Sequence, residues 1–99
     1  MILEITRVDV LPGMEDEFER RVARALPIFQ GCSGWRGMEL QRAIEPPNRF
    51  HLVVRWDTVE RHAVDFACSP AFEEWRKLVG HLFLGSPEVA YFQHSFSGY

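Results

Sequence analysis

Cysteine is scarce in this chain: Cys32 and Cys68 are the only two among 99 residues. They lack metal-ligand spacing, and two isolated thiols make no disulfide framework. Two reduced thiols in a cytoplasmic protein is the expected state. Basic clusters are missing too. The eleven Lys and Arg residues, mostly Arg, are scattered among fourteen acids, for a net charge of −3. Phosphate binding needs clustered cations, so nucleic acid is not an expected partner. No apolar run approaches the roughly 20 residues of a membrane span. The first residues, Met1-Ile2-Leu3-Glu4, carry no cationic n-region or cleavage site, so no signal peptide is expected. Glycine-rich phosphate loops, triad spacing, carboxylate pairs, repeats and low-complexity stretches are also absent. His51, His62, His81 and His94 stand far apart without ligand spacing, which argues against a metal site.

What the chain does have is apolar mass. Hydrophobic residues make up 46%, and three Trp, two Tyr and eight Phe make 13% aromatic. The length fits one domain over residues 1–99, with its core over about 1–96. So short a chain buries a modest share of its surface, and pairing with a second copy would add burial.

Ile2 to Val10 reads as a strand, stopped by Leu11-Pro12-Gly13. Met14 to about Phe29 reads as a helix with Met14, Phe18, Val22, Ala25, Leu26 and Phe29 on one face. Its first turns carry Glu15, Asp16, Glu17 and Glu19, which suit the helix dipole, and Pro27 is expected to disturb its last turn. After the loop Gln30–Gly34, Trp35 to Ile44 and Arg49 to Trp56 read as a hairpin around Glu45-Pro46-Pro47-Asn48. Asp57 is placed to cap a helix with Glu60 in the capping-box position, and Val59, His62, Ala63 and Phe66 follow at helical spacing. Ser69-Pro70 restarts a helix with Ala71, Phe72, Trp75, Leu78, Val79 and Leu82 on its apolar face. Glu88 to Phe96 reads as the last strand.

The order is β-α-β-β-α-β, the ferredoxin-like α+β arrangement. Two helical regions cover one face of a four-stranded sheet. Alternation puts Phe50, Leu52, Val54 and Trp56 on one face of the third strand, and His51, Val53 and Arg55 on the other. In the last strand Val89 and Tyr91 face one way, Ala90, Phe92 and Phe96 the other. A second face with that much apolar surface calls for a partner, and a twofold homodimer supplies one.

Three residues stand out for chemistry. Trp56 ends the third strand at the rim of the space between sheet and helices, although a large aromatic is most often plain core. His62 lies on the apolar stripe between Val59 and Phe66, one turn after Trp56. A buried neutral His is the usual outcome; a proton acceptor working near neutral pH is the functional one. Arg76 borders the apolar face of the last helix. Snorkelling into solvent is common for such an Arg, whereas one turned to a pocket would hold an anionic oxygen.

Four segments carry a family resemblance: Leu11-Pro12-Gly13-Met14-Glu15-Asp16-Glu17-Phe18, Arg55-Trp56-Asp57-Thr58-Val59-Glu60-Arg61-His62, Ser69-Pro70-Ala71-Phe72-Glu73-Glu74-Trp75-Arg76, and Ser86-Pro87-Glu88-Val89. From about Met1 to Phe96 the chain resembles the antibiotic biosynthesis monooxygenase domain family, which implies a dimeric α+β barrel. One branch of that family oxidises anthrone-like aromatics without a cofactor. Its Trp and Arg match Trp56 and Arg76; its helix Tyr is replaced by His62, and its strand Asn by Leu52. The haem-degrading branch needs an Asn, a Trp and a haem-ligating His where this chain has Thr6, Phe66 and Arg76, so the resemblance argues against haem.

The resemblance thus implies a cofactor-independent monooxygenase acting on an electron-rich anthrone, quinol or phenol, with O2 as co-substrate. His62 would take or relay the proton, Arg76 would stabilise the anion, and Trp56 would hold the ring. Leu52, Phe66, Phe72 and Thr6 would complete the substrate pocket. A non-enzymatic ligand-binding or stress-response dimer of the same fold is the other reading.

Overall fold

Inward-pointing side chains at every second position define the first strand. The computed structural model, which describes residues 1–99, places this strand over Ile2–Asp9 (β1). Glu15–Gln30 follows as α1, Trp35–Arg42 as β2 and Arg49–Trp56 as β3. A π-helical turn spans Arg61–Phe66, α2 covers Pro70–Val79 with a 3-10 turn at Gly80–Leu82, and β4 runs Glu88–Phe92. The fold is the ferredoxin-like α+β arrangement, with sheet order β2-β3-β1-β4 and all neighbours antiparallel.

The register fixes the two faces. Thr6 pairs with Leu52 on one side and Val89 on the other, and Glu4 with Val54 and Tyr91. Glu4, Thr6 and Val8 of β1 therefore share the helix-facing side with Leu52 and Val54. Phe18, Val22, Ala25 and Phe29 of α1 are buried against that side, as are Trp75 and Val79 of α2. A hydrogen bond from the Arg21 guanidinium to the Leu78 carbonyl, 3.0 Å, ties α1 to the end of α2. The opposite face carries Leu3, Ile5, Val53, Ala90 and Phe92, and no helix covers it.

Several local expectations are corrected. Asp57 does not cap the segment after β3; its carboxylate pairs with Arg36 at 2.6 Å, and Thr58 Oγ1 accepts the Arg61 N–H instead. That segment is a π-helical turn, with the Ala67 N–H bonding to the His62 carbonyl five residues back. Ser69 is extended before α2 but turns its hydroxyl back, donating to the Phe66 carbonyl at 2.7 Å. Pro27 lies inside α1 without ending it, because the helix continues to Gln30. β2 ends at Arg42 rather than Ile44. β4 ends at Phe92 rather than Phe96, because its last partner is Leu3 near the start of β1. Cys32 and Cys68 are both free; the Cys32 thiol donates to the Ile28 carbonyl, and burial pushes its pKa up.

Candidate functional site

Between the sheet and the helices lies a cavity of about 910 Å³, a size suited to a small organic ligand. Every layer contributes to its wall. Thr6 and Leu52 form the sheet side, Phe18 and Phe29 come from α1, and Phe72 and Trp75 from α2. The π-helical turn adds His62 and Phe66. Its extra residue per turn is the kind of irregularity often found at functional positions. Here it stacks the His62 ring on Phe66, with centroids 5.7 Å apart and planes inclined by 22°. Phe66 in turn stacks on Phe29 and meets Phe72 edge-on.

One end of this aromatic space is polar. Glu4 is 4% exposed, on a strand face otherwise given to apolar side chains and Thr6. A carboxyl group buried there must be hydrogen-bonded, and three groups converge on it. The Trp56 indole Nε1–H donates to Oε1 at 3.0 Å, Thr6 Oγ1 donates to Oε2, and His62 Nε2 lies 3.3 Å from Oε1. The other imidazole nitrogen, Nδ1, lies 2.6 Å from the Tyr91 hydroxyl. Both His62 nitrogens are therefore engaged.

Burial among Trp56, Phe66 and the sheet pushes the His62 pKa below its usual value, and the Glu4 charge opposes this only in part. Imidazole is thereby kept neutral and able to accept a proton. Burial, and then the charge of Glu4, raise the Tyr91 pKa, so the phenol holds its proton.

Of the sequence-derived candidates, His62, Thr6, Leu52, Phe66 and Phe72 line one space, whereas Trp56, expected at its rim, lies behind that wall. Trp56 is fully buried and reaches that space through Glu4 and its tilted contact with His62, 5.6 Å between centroids. Arg76 lines the same cavity at its rim. Its side chain is 63% exposed and lies 3.7 Å from Glu73. Glu4 and the hydroxyl of Tyr91 were not singled out from the sequence. The available signal was that Glu4 alternates in phase with Thr6, Val8 and Val10, an acid on an inward face. No group of three or more His, Cys, Asp or Glu side chains is arranged to hold a metal ion, and no helix is long and apolar enough to cross a membrane.

Residues 1–78 match the family model described as antibiotic biosynthesis monooxygenase. The uncharacterised protein YczJ of Bacillus subtilis (strain 168) is 31% identical over 93 residues, which cover 94% of this chain and 98% of YczJ. A crystal structure from Bordetella bronchiseptica, assigned as an antibiotic biosynthesis monooxygenase, is 47% identical with a TM-score of 0.95, covering 96% of this chain and 97% of the other. SnoaB, a cofactor-independent oxygenase from Streptomyces nogalater, shares the fold with a TM-score of 0.81 and 20% identity, over 97% of this chain and 94% of SnoaB.

Proposed function

Because the chain belongs to the antibiotic biosynthesis monooxygenase family, we propose that it is a cofactor-independent monooxygenase oxidising an electron-rich aromatic with O2 inside the cavity. The observation that carries this reading is the Glu4–His62 pair set into an aromatic-walled space. Anthrones, quinols and phenols become reductants once deprotonated, and their anions pass electrons to O2 directly. For an anthrone the balance is CH2 + O2 → C=O + H2O. The substrate carbon gives four electrons, and one oxygen atom ends in the carbonyl and the other in water.

Within this scheme the Glu4 carboxylate exchanges protons with the substrate, and His62, whose ring nitrogens face Glu4 and Tyr91, relays protons to and from it. Burial suits His62 to the task, since a neutral imidazole accepts protons and an imidazolium does not. Phe29, Phe66 and Phe72 set the shape in which a planar ring fits, and Trp56 acts from behind the wall by holding Glu4. The apolar surfaces of the Phe rings exclude water, which strengthens the interactions of the few charges present. Arg76 at the rim supplies the cation for the substrate anion and the reduced oxygen. Leu52 stands where the anthrone-oxidising branch has an Asn, so the polar work falls to Glu4 and His62. SnoaB, described as cofactor-independent, supports a reaction without a resident redox group. A twofold homodimer formed through the open sheet face would leave one cavity per protomer.

The test is O2 uptake by the purified protein with anthrones or quinols in metal-chelated buffer without added cofactor. Uptake that falls in His62→Ala and Arg76→Ala variants supports the reading. Thermal stabilisation by such aromatics without uptake would instead identify a ligand-binding dimer.

A further inference from the structure

The polar cluster does more than line the cavity; it crosses the wall. Glu4 and His62 both face the interior. Tyr91 stands outside that lining on β4, 37% exposed to water, with its hydroxyl on His62 Nδ1. The neighbouring charges on the turn are otherwise occupied, since Arg61 pairs with Asp65 at 3.0 Å. From α2 and the 3-10 turn, Glu73, Arg76, Lys77 and His81 also line the cavity.

The donors and acceptors fix the direction of each bond. An indole N–H only donates, so Glu4 Oε1 is an acceptor. His62 Nε2 lies 3.3 Å from the same oxygen, within reach of proton transfer though not aligned as a hydrogen bond, and beside that acceptor we assign it the imidazole proton. The lone pair then sits on Nδ1, and the Tyr91 hydroxyl donates to it. With that assignment the contacts run in one direction, from solvent through the Tyr91–His62 hydrogen bond and the His62–Glu4 pair.

We propose that Tyr91, His62 and Glu4 form a proton wire between bulk water and the cavity, with Tyr91 its solvent end. This role rests on the reading that the cavity reaction moves protons. An inward passage breaks the Tyr91 O–H bond as Nδ1–H forms, and breaks Nε2–H as a Glu4 O–H forms. Glu4 gives that proton to an anion in the cavity, and Tyr91 takes a new one from water. The ring is left protonated on Nδ1 with its lone pair toward Glu4. From that state the wire works outward: Glu4 takes a proton from the cavity and passes it to Nε2, and Nδ1–H passes to Tyr91, whose own proton goes to water. The second passage restores the first state. A reaction in which each proton lost by substrate is matched by one gained by reduced oxygen therefore resets the wire without rotating the ring.

The experiment pairs nitrogen NMR with kinetics. In the wild-type protein with an empty cavity, neutral His62 is expected to carry its proton on Nε2, and Tyr91→Phe is expected to shift the Nδ1 resonance. Tyr91→Phe keeps the ring beside His62 and removes the proton-bearing oxygen. Its kcat is expected to fall roughly 10²-fold, the lower end for general acid–base groups, with KM unchanged. Added imidazole buffer should restore much of that loss in the variant and leave the wild type unaffected. A proton on Nδ1 in the resting protein overturns the wire, as does wild-type turnover by Tyr91→Phe or a loss that buffer does not relieve. Should the wild type consume no O2 with any quinol, the monooxygenase reading falls. The wire is then judged by NMR alone: the Nε2 tautomer with a Tyr91-dependent Nδ1 shift upholds it, and the Nδ1 tautomer rejects it.

Discussion

Trp56 and Glu4 stand 52 residues apart in the chain and meet through a 3.0 Å hydrogen bond in the interior. The indole N–H gives a buried carboxylate one of its two hydrogen-bond donors, the other being Thr6. Replacing Trp56 with Phe keeps an aromatic body and removes that donor. A buried acceptor left one donor short is expected to destabilise the fold by about 1–3 kcal/mol, read from the urea midpoint. A Trp56→Phe variant as stable as wild type would mean that the Thr6 hydrogen bond and the His62 contact suffice for Glu4 without the indole.

His62 gives stability a pH dependence of known sign. Its pKa is lowered by burial in the folded chain and returns to its usual value near 6.5 on unfolding. Between those values the unfolded chain binds more protons. The contribution is therefore complete above about pH 6.5 and lost as pH falls through the folded pKa. Asp9, Glu17 and Asp57, whose pKa values are lowered by their Arg partners, lose their contributions only further down, in the carboxylate range. Thermal melts at about pH 7.5 and about pH 5.5 should separate for wild type and converge for His62→Phe. Equal slopes would show that His62 is not the group responsible.

Strand β3 was readable to the residue, because the turn Pro47-Asn48 precedes a clean alternation that ends at Trp56. The inward faces followed from the same logic, Leu52 from the alternation and Phe66 and Phe72 from helical spacing, while their grouping into one pocket came from the family resemblance. Glu4 was not readable, because an acid in a strand ordinarily faces water. What buries it is register, which sets it beside Val54 and Tyr91 and brings the Trp56 and Thr6 donors and the His62 ring to one carboxylate. The π-helical turn was equally hidden. Val59, His62, Ala63 and Phe66 have ordinary helical spacing, and the widened turn emerges only where the chain packs Phe66 between His62 and Phe29. The end of β4 depended on where β1 begins, which Phe96 does not report.

Gly34 links the loop before β2 to the turn that carries His62. Its φ is +81°, and a Cβ there would lie 2.6 Å from Cγ of Arg61. Its carbonyl accepts the Asp57 N–H at 2.8 Å, so the backbone has little freedom to move aside. Gly34→Ala is expected to destabilise by more than about 1 kcal/mol and to perturb the His62 resonances by displacing the Arg61 stem. Unchanged stability and spectra would show that the loop relaxes without reaching the turn.

Arg76 separates function from stability. It is exposed and its only ion-pair partner, Glu73, is 60% exposed; such pairs contribute little. Arg76→Ala is expected to leave the melting temperature within the range of a neutral surface change, about 0.5 kcal/mol. Under the proposed role kcat/KM should still fall by roughly 10²-fold, with Arg76→Lys recovering part of it. Unaltered kcat/KM in Arg76→Ala would remove the residue from the mechanism.

The uncovered sheet face sets the last prediction. Leu3 pairs with Phe92 and Ile5 with both Val53 and Ala90, which makes a contiguous apolar patch across β3, β1 and β4. Phe92 is 49% exposed in the single chain. Charged residues frame the patch: Arg7 with Glu88 and Asp9 along one border, Arg55 with Glu39 along another. An antiparallel sheet tolerates water on one face when that face is polar, and an apolar centre within a charged frame is the pattern of a surface made to be covered. A twofold axis through the patch would set Phe92 of one copy against the apolar centre of the other. Light scattering should then report twice the chain mass of 11.5 kDa. Phe92→Asp places a carboxylate in that dry centre without touching the cavity, whose wall at β4 is Val89 on the other face. It is expected to halve the mass while the His62 resonances keep their wild-type tautomer. A variant that stays dimeric would move the interface off this face, and a monomeric wild type would remove it.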